Sequence, residues 1–228
     1  DKTSTFYENW EEDIELLVET GHTAFRTSIQ WSRIFPKGRG EVNPVGVAFY
    51  RQVFERIKSK GIHLMVNLYH FDLPFALQEE GDGWENKETV YAYRDYARFC
   101  FETYGDLVDQ WITFNEPIVP VEFGYVYDAH YPHKVDAAAA VKVAYHTQLA
   151  SSLAVQVCHE GDPNYRIGGV LNLTPAYPRS QHPADVKAAR IAELFQAKSF
   201  LDPSVLGTYP PELVEILRER ALLPEVDP

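Results

Sequence analysis

The chain has 228 residues, with 21 lysines and arginines against 33 aspartates and glutamates, a formal net charge of −12. That acidity argues against a nucleic-acid partner, and no apolar run approaches the ~20 residues of a membrane span. With 45% apolar residues the chain can bury a substantial core, and its 14% aromatics suit such a core and the apolar C–H faces of a sugar equally well.

Residues Tyr7 to Thr20 read as a helix: Trp10, Ile14, Leu17 and Val18 share one face, and Gly21 supplies the stop. Thr23 to Gln30 reads as a strand, with Phe25, Thr27 and Ile29 on one face and Arg26, Ser28 and Gln30 on the other. An arginine inside a strand calls for a carboxylate partner. Trp31 to Pro36 reads as a loop. Asn43-Pro44 is a cap followed by a first helical turn, and that helix runs to Lys60.

Ile62 to Tyr69 is a near-continuous apolar run, suited to a strand buried on both faces, and it ends in His70-Phe71-Asp72-Leu73-Pro74. A helix from about Asn86 to Tyr104 follows. Val108 to Phe114 reads as the next strand, and Val119 to Lys134 as a long loop. Val135 to His159 is an alanine-rich helix, Arg166 to Leu173 a fourth strand, and Ala184 to Phe200 and Pro211 to Leu222 two further helices.

Strand–helix alternation predicts an α/β fold with a parallel sheet. Each strand end carries polar groups: Ser28 and Gln30, then His70 and Asp72, then Asn115 and Glu116, then Asn172. Polar groups at successive strand ends fit the active rim of a (β/α)8 barrel. A doubly wound sheet alternates too, but it gathers ligands at one switch point, and no G-x-G-x-x-G or Walker motif occurs here. An eight-unit barrel needs ~250 residues. The expected architecture is therefore one partial TIM barrel over residues 1–228, about strands 2–5 with their helices, truncated at both ends.

The organising stretch is Trp111-Ile112-Thr113-Phe114-Asn115-Glu116-Pro117. Pro117 cannot donate to a sheet ladder, so the strand stops at or just before it. Asn115 and Glu116 then stand at a strand's C-terminal end, where α/β enzymes do their chemistry. A carboxyl walled by Trp111 and Phe114 is placed to hold its proton near neutrality and to donate it. An isolated Asn-Glu-Pro would read as a solvated loop; the flanking blocks change that reading.

Arg26-Thr27-Ser28-Ile29, Trp31-Ser32-Arg33-Ile34-Phe35-Pro36, His70-Phe71-Asp72-Leu73-Pro74 and Thr113-Phe114-Asn115-Glu116-Pro117 together resemble glycoside hydrolase family 1. They come in the family's order and at about its spacing. The resemblance implies that Glu116 is the general acid/base and Asn115 the partner of the sugar 2-hydroxyl. His70 is implied as a second hydroxyl contact, Asn172 as a polar residue of the fifth barrel strand, and Arg26 as the arginine that pairs with the nucleophilic glutamate. The family's nucleophile lies in a Thr-Glu-Asn-Gly-like block, which this sequence lacks, as it lacks the sugar-binding glutamine of the first strand. The expected activity is that of a retaining β-glycosidase whose nucleophile lies elsewhere, this chain alone being inactive.

Phe71, Leu171 to Pro178 and Leu201 to Pro210 resemble the phospho-glycosidase branch. That branch implies a 6-phospho-β-glucoside or 6-phospho-β-galactoside as the small-molecule partner, imported by a sugar phosphotransferase system into a bacterial cytoplasm. Unphosphorylated β-glucosides and a non-catalytic carbohydrate-binding half-barrel are the alternatives. Cys100 and Cys158 read as core fillers and fit a reducing cytoplasm. His130-x-x-His133 lacks a third ligand, so neither a metal nor another cofactor is expected. The outer strands of a half-barrel have open edges, which predicts a homo-oligomer or a partner half.

Overall fold

A computed structural model describes residues 4–226. In chain order the elements are α1 (Phe6–Glu19), β1 (Ala24–Ser28), α2 (Trp31–Ile34), α3 (Pro44–Ser59), β2 (His63–Tyr69) and α4 (Phe75–Gly81). A 3-10 turn (Gly83–Glu85) leads to α5 (Lys87–Tyr104), β3 (Gln110–Asn115), α6 (Ile118–Tyr125), α7 (Ala137–Gly161) and β4 (Ile167–Val170). Then come α8 (Pro183–Glu193), a π turn (Leu194–Lys198), α9 (Ser199–Leu206) and α10 (Pro211–Glu219).

Side-chain caps set the starts of the long helices. Asn43 accepts from the Val45 amide at 3.2 Å with Pro44 behind it, and Asn86 accepts from the Glu88 amide at 2.9 Å. Asp136 takes the Ala138 and Ala139 amides at 2.9 and 3.0 Å. Gly61, at φ +71°, turns the chain from α3 into β2 in a conformation that a side chain would strain.

The four strands form one parallel sheet in the order β1-β2-β3-β4. The order never reverses, so these residues contain no topological switch point of the doubly wound kind. This is the α/β architecture of a partial TIM barrel. One face packs on the helices: Leu64, Val66 and Leu68 are fully buried there. Trp31 sits at the centre of that layer. Its ring stacks on Tyr96 with centroids 5.1 Å apart, and its indole N–H donates to the Gly38 carbonyl at 3.1 Å. The register sets Arg26 beside Met65, Ser28 beside Asn67, and Asn67 beside Ile112 on the opposite face.

Several expectations need correction. The segment from Trp31 opens with a helical turn rather than a loop. The Val119 to Lys134 segment begins inside α6, whose Pro120 falls in the first turn, where no helical hydrogen bond is lost. α6 forms because Val119, Val121 and Tyr125 bury themselves under the rim. The helix begun at α8 passes through the π turn and runs on to Leu206 through Pro203. The fourth strand is shorter than read, since Gly168 and Gly169 offer no side chains to pack.

A candidate active site at the strand ends

The pairing of β3 with β4 is irregular between Ile112 and Asn115. A residue out of register breaks the inward–outward alternation of a strand. Phe114 therefore packs into the aromatic layer, 4.8 Å from Tyr93 and 5.4 Å from Trp84, while Asn115 turns toward β1.

Arg26 of β1 reaches across the face of β2 to meet it. One guanidinium nitrogen donates to Asn115 Oδ1, and Nε donates to Asn67 Oδ1 at 3.3 Å. Two amide oxygens fix the fork's direction without neutralising its charge, and no salt bridge to Arg26 occurs among the described residues. Asn67 and Asn115 are 1% and 5% exposed, so both amides are held where water does not compete for them. Asn67 was not singled out from sequence; its signal was a lone amide inside the apolar run of β2.

His70 follows β2 directly. Its Nδ1 lies 3.4 Å from both Ser28 Oγ and Asn67 Nδ2, and its ring stands edge-on to Phe71 at 4.9 Å. Burial, then the Arg26 charge, lower the imidazole pKa, and Glu116 works against them. The ring is therefore predominantly neutral at pH 7, with one nitrogen to donate and one to accept.

Glu116 stands one residue beyond β3, half-buried. Its N–H still donates to the Val170 carbonyl at 2.8 Å, and its Oε2 accepts from Asn172 Nδ2 at 3.2 Å. Its φ is +45°, a left-handed value that costs a non-glycine residue about 1–2 kcal/mol. Hydrogen bonds thus link Arg26, Asn67, Asn115, His70 and Ser28 in one network and Glu116 with Asn172 in a second, and the charge of Glu116 reaches His70. All four strands contribute.

The walls predicted for Glu116 are different. Trp111 points the other way, against Phe101 of α5 at 5.0 Å, and Phe114 is in the aromatic layer. Asp72 accepts from the His70 N–H at 3.0 Å, and burial pushes its carboxyl up to about 6. A hollow of about 900 Å³ lies along the β1 side of the rim and takes in Ser28, His70 and Asp72 but not Glu116. His130 and His133 point to different partners: His130 packs on Phe123 at 5.2 Å, and His133 contacts Asp128 at 3.1 Å. No cluster of three metal-ligating side chains occurs among the described residues, nor is any described helix long and apolar enough to cross a membrane.

Known proteins share much of this sequence and its fold. The chain is 54% identical over 223 residues to the 6-phospho-beta-glucosidase GmuD of Bacillus subtilis, a match covering 98% of this chain and 48% of that protein. It is 40% identical to beta-glucosidase A of Thermotoga maritima, over 96% of this chain and 49% of that one. Among solved structures, virulence factor SghA of Agrobacterium tumefaciens, in complex with its substrate analog salicin, superposes with a TM-score of 0.93 at 36% identity, covering 98% of this chain and 48% of that one. The family 1 b-glucosidase of Thermotoga maritima gives 0.90 at 39% identity over 96% and 49%. The chain spans about half the length of the relatives it matches. The family model for glycosyl hydrolase family 1 matches residues 1–228, and with a rim built by four parallel strands in the order of that barrel, the chain belongs to glycosyl hydrolase family 1.

Proposed function

We propose that this chain carries the acid/base half of a retaining β-glycosidase that hydrolyses 6-phospho-β-glucosides or 6-phospho-β-galactosides. The observation that supports it most is the placement of Glu116. The carboxyl is half-buried at the end of β3, held by Asn172, next to an amide that Arg26 orients. In this reading Glu116 protonates the departing glycosidic oxygen and then takes a proton from the water that releases the sugar. Asn115 holds the 2-hydroxyl, a bond that tightens as the ring flattens toward the oxocarbenium ion. His70 binds a neighbouring hydroxyl as a neutral ring, and Asn172 steadies Glu116. Arg26 presents its charge to the attacking carboxylate.

Double displacement needs two carboxyls ~5–5.5 Å apart. The rim described here supplies one, and the other belongs to the remaining part of the barrel in this reading. Phe71 and the 54% identity to GmuD favour a phosphorylated sugar. The similarity to beta-glucosidase A of Thermotoga maritima favours the plain glucoside as the second reading.

The test uses the full-length enzyme. Glu116→Gln is expected to spare the first step for aryl glycosides with good leaving groups and to slow substrates that need protonation by about 10²–10⁴-fold. Equal rates on both substrate classes would remove Glu116 from the role. Paired phosphorylated and plain aryl glucosides separate the two substrates. Binding of the glycoside with no turnover of either would favour a carbohydrate-binding module.

A further inference from the structure

Asp72 lies three residues beyond β2, partly buried, and no salt bridge among the described residues includes it. Its hydrogen-bond partner is a backbone N–H group. Oδ1 accepts from His70 at 3.0 Å, and the carboxyl also faces the N–H of Trp31 and its own. Trp31 opens α2 just after β1, whereas His70 directly follows β2. One side chain therefore lies between the ends of two neighbouring strands at the rim and is bonded to the turn after β2.

Between His70 and Asp72 stands Phe71, at φ +71°. A bulky residue holds that conformation only where its surroundings over-determine it. The carboxyl across the turn is the constraint that the geometry supplies. The imidazole plane depends on the same turn, since its ring is set edge-on to Phe71 and within 3.4 Å of Ser28 and Asn67.

We propose that Asp72 is a positioning residue: by holding the His70 amide across the turn it keeps Phe71 left-handed and aims the His70 ring along the rim. The link from that geometry to sugar binding rests on the glycosidase reading above; the geometric claim does not. The titratable and charged groups around Asp72 are His70 on its own turn, Tyr50 from α3, Tyr69 from β2, and Tyr93 and Tyr96 from α5. Arg33 and Glu8 line the same hollow. Burial among these phenols raises the carboxyl to about 6, so its ionisation falls within an accessible pH range.

The experiment is NMR on this chain as it stands. The His70 and Trp31 amides are expected to titrate together with a midpoint near 6 in the wild type and to lose that step in Asp72→Asn, which keeps the accepting oxygen. Phe71 should show the strong intraresidue HN–Hα NOE of a positive φ in both. Asp72→Ala should weaken that NOE, and in the full-length enzyme it should raise KM for the sugar about tenfold with a smaller change in kcat, Asp72→Asn restoring most of the loss. If Asp72→Ala does not fold, the wild type and Asp72→Asn decide alone. Amides that do not titrate in the wild type, or a Phe71 NOE that persists in Asp72→Ala, would overturn the assignment. Intact NMR signatures with no turnover at all would overturn the glycosidase reading and leave the positioning role standing.

Discussion

Arg26 and Asn115 are 89 residues apart and lie on strands that are not neighbours, yet the guanidinium of one donates to the amide oxygen of the other. The bridge passes over β2, whose Asn67 takes the second arm of the fork. A planar fork holds both acceptors in one fixed geometry; an ammonium, a point charge on a flexible stem, does not. Arg26→Lys is therefore expected to leave stability within about 1 kcal/mol, because the side chain lies on the open face. It should free the Asn115 amide and lower full-length kcat by about 10–100-fold, the usual effect of losing an orienting partner. Asn115 side-chain NH2 resonances unchanged from the wild type would show that the bridge orients nothing.

Glu116 sets function against stability at one residue. Its left-handed φ is strained for glutamate and tolerated by asparagine, whose short side chain enters that region readily. Glu116→Asn is expected to stabilise the chain by up to about 1 kcal/mol while abolishing turnover in the full-length enzyme. Urea midpoints of the two forms, compared at equal slope, measure the first part. A destabilised variant would mean that the Asn172 contact outweighs the backbone strain.

The strands, the long helices and the rim were legible because their signals are local. Asn43-Pro44 announces α3 by itself, and Pro117 marks where β3 has to stop. The misses share a different cause. Asn67 reads as an oddity in an apolar strand until the register sets it beside Ser28 and Ile112, on the face that Arg26 crosses. Trp111 and Phe114 are near Glu116 in sequence and were expected to wall it, but Trp111 packs on Phe101 and Phe114 on Tyr93. α6 was hidden because its residues are chosen for burial against α7 rather than for helix propensity. Long-range pairing decided each of these, and a single sequence does not display it.

Trp31 joins the rim to the core and gives a test of that coupling. It is fully buried, stacks on Tyr96 and donates to the Gly38 carbonyl at 3.1 Å. Trp31→Phe removes the donor, leaves that carbonyl unpaired and opens a small void, for an expected loss of about 2–4 kcal/mol. Chemical denaturation followed by far-UV circular dichroism would read it. A loss under about 1 kcal/mol would mean that the layer collapses around the smaller ring.

Two carboxyls give the chain opposite responses to pH. Asp109 is penalised by burial, but the Leu64 amide at 2.8 Å and Lys58 at 2.7 Å outweigh that penalty and lower its pKa. Its stabilisation is present above the unfolded pKa and is lost as pH falls through the lowered folded value. Asp72 runs the other way. Its folded pKa, about 6, lies above the unfolded value near 4, so burial costs nothing while both states are protonated. The penalty grows as pH rises through 4 to 6 and is complete above that, at most about 3 kcal/mol. Asp72→Asn should therefore match the wild type near pH 4 and exceed it in stability near pH 8, whereas Asp109→Asn should be weakest against the wild type at pH 8 and approach it in acid. Urea unfolding of the three proteins at both pH values measures these differences. If the gap between Asp72→Asn and the wild type is the same at pH 4 and pH 8, the carboxyl does not ionise in that interval and the assigned linkage fails.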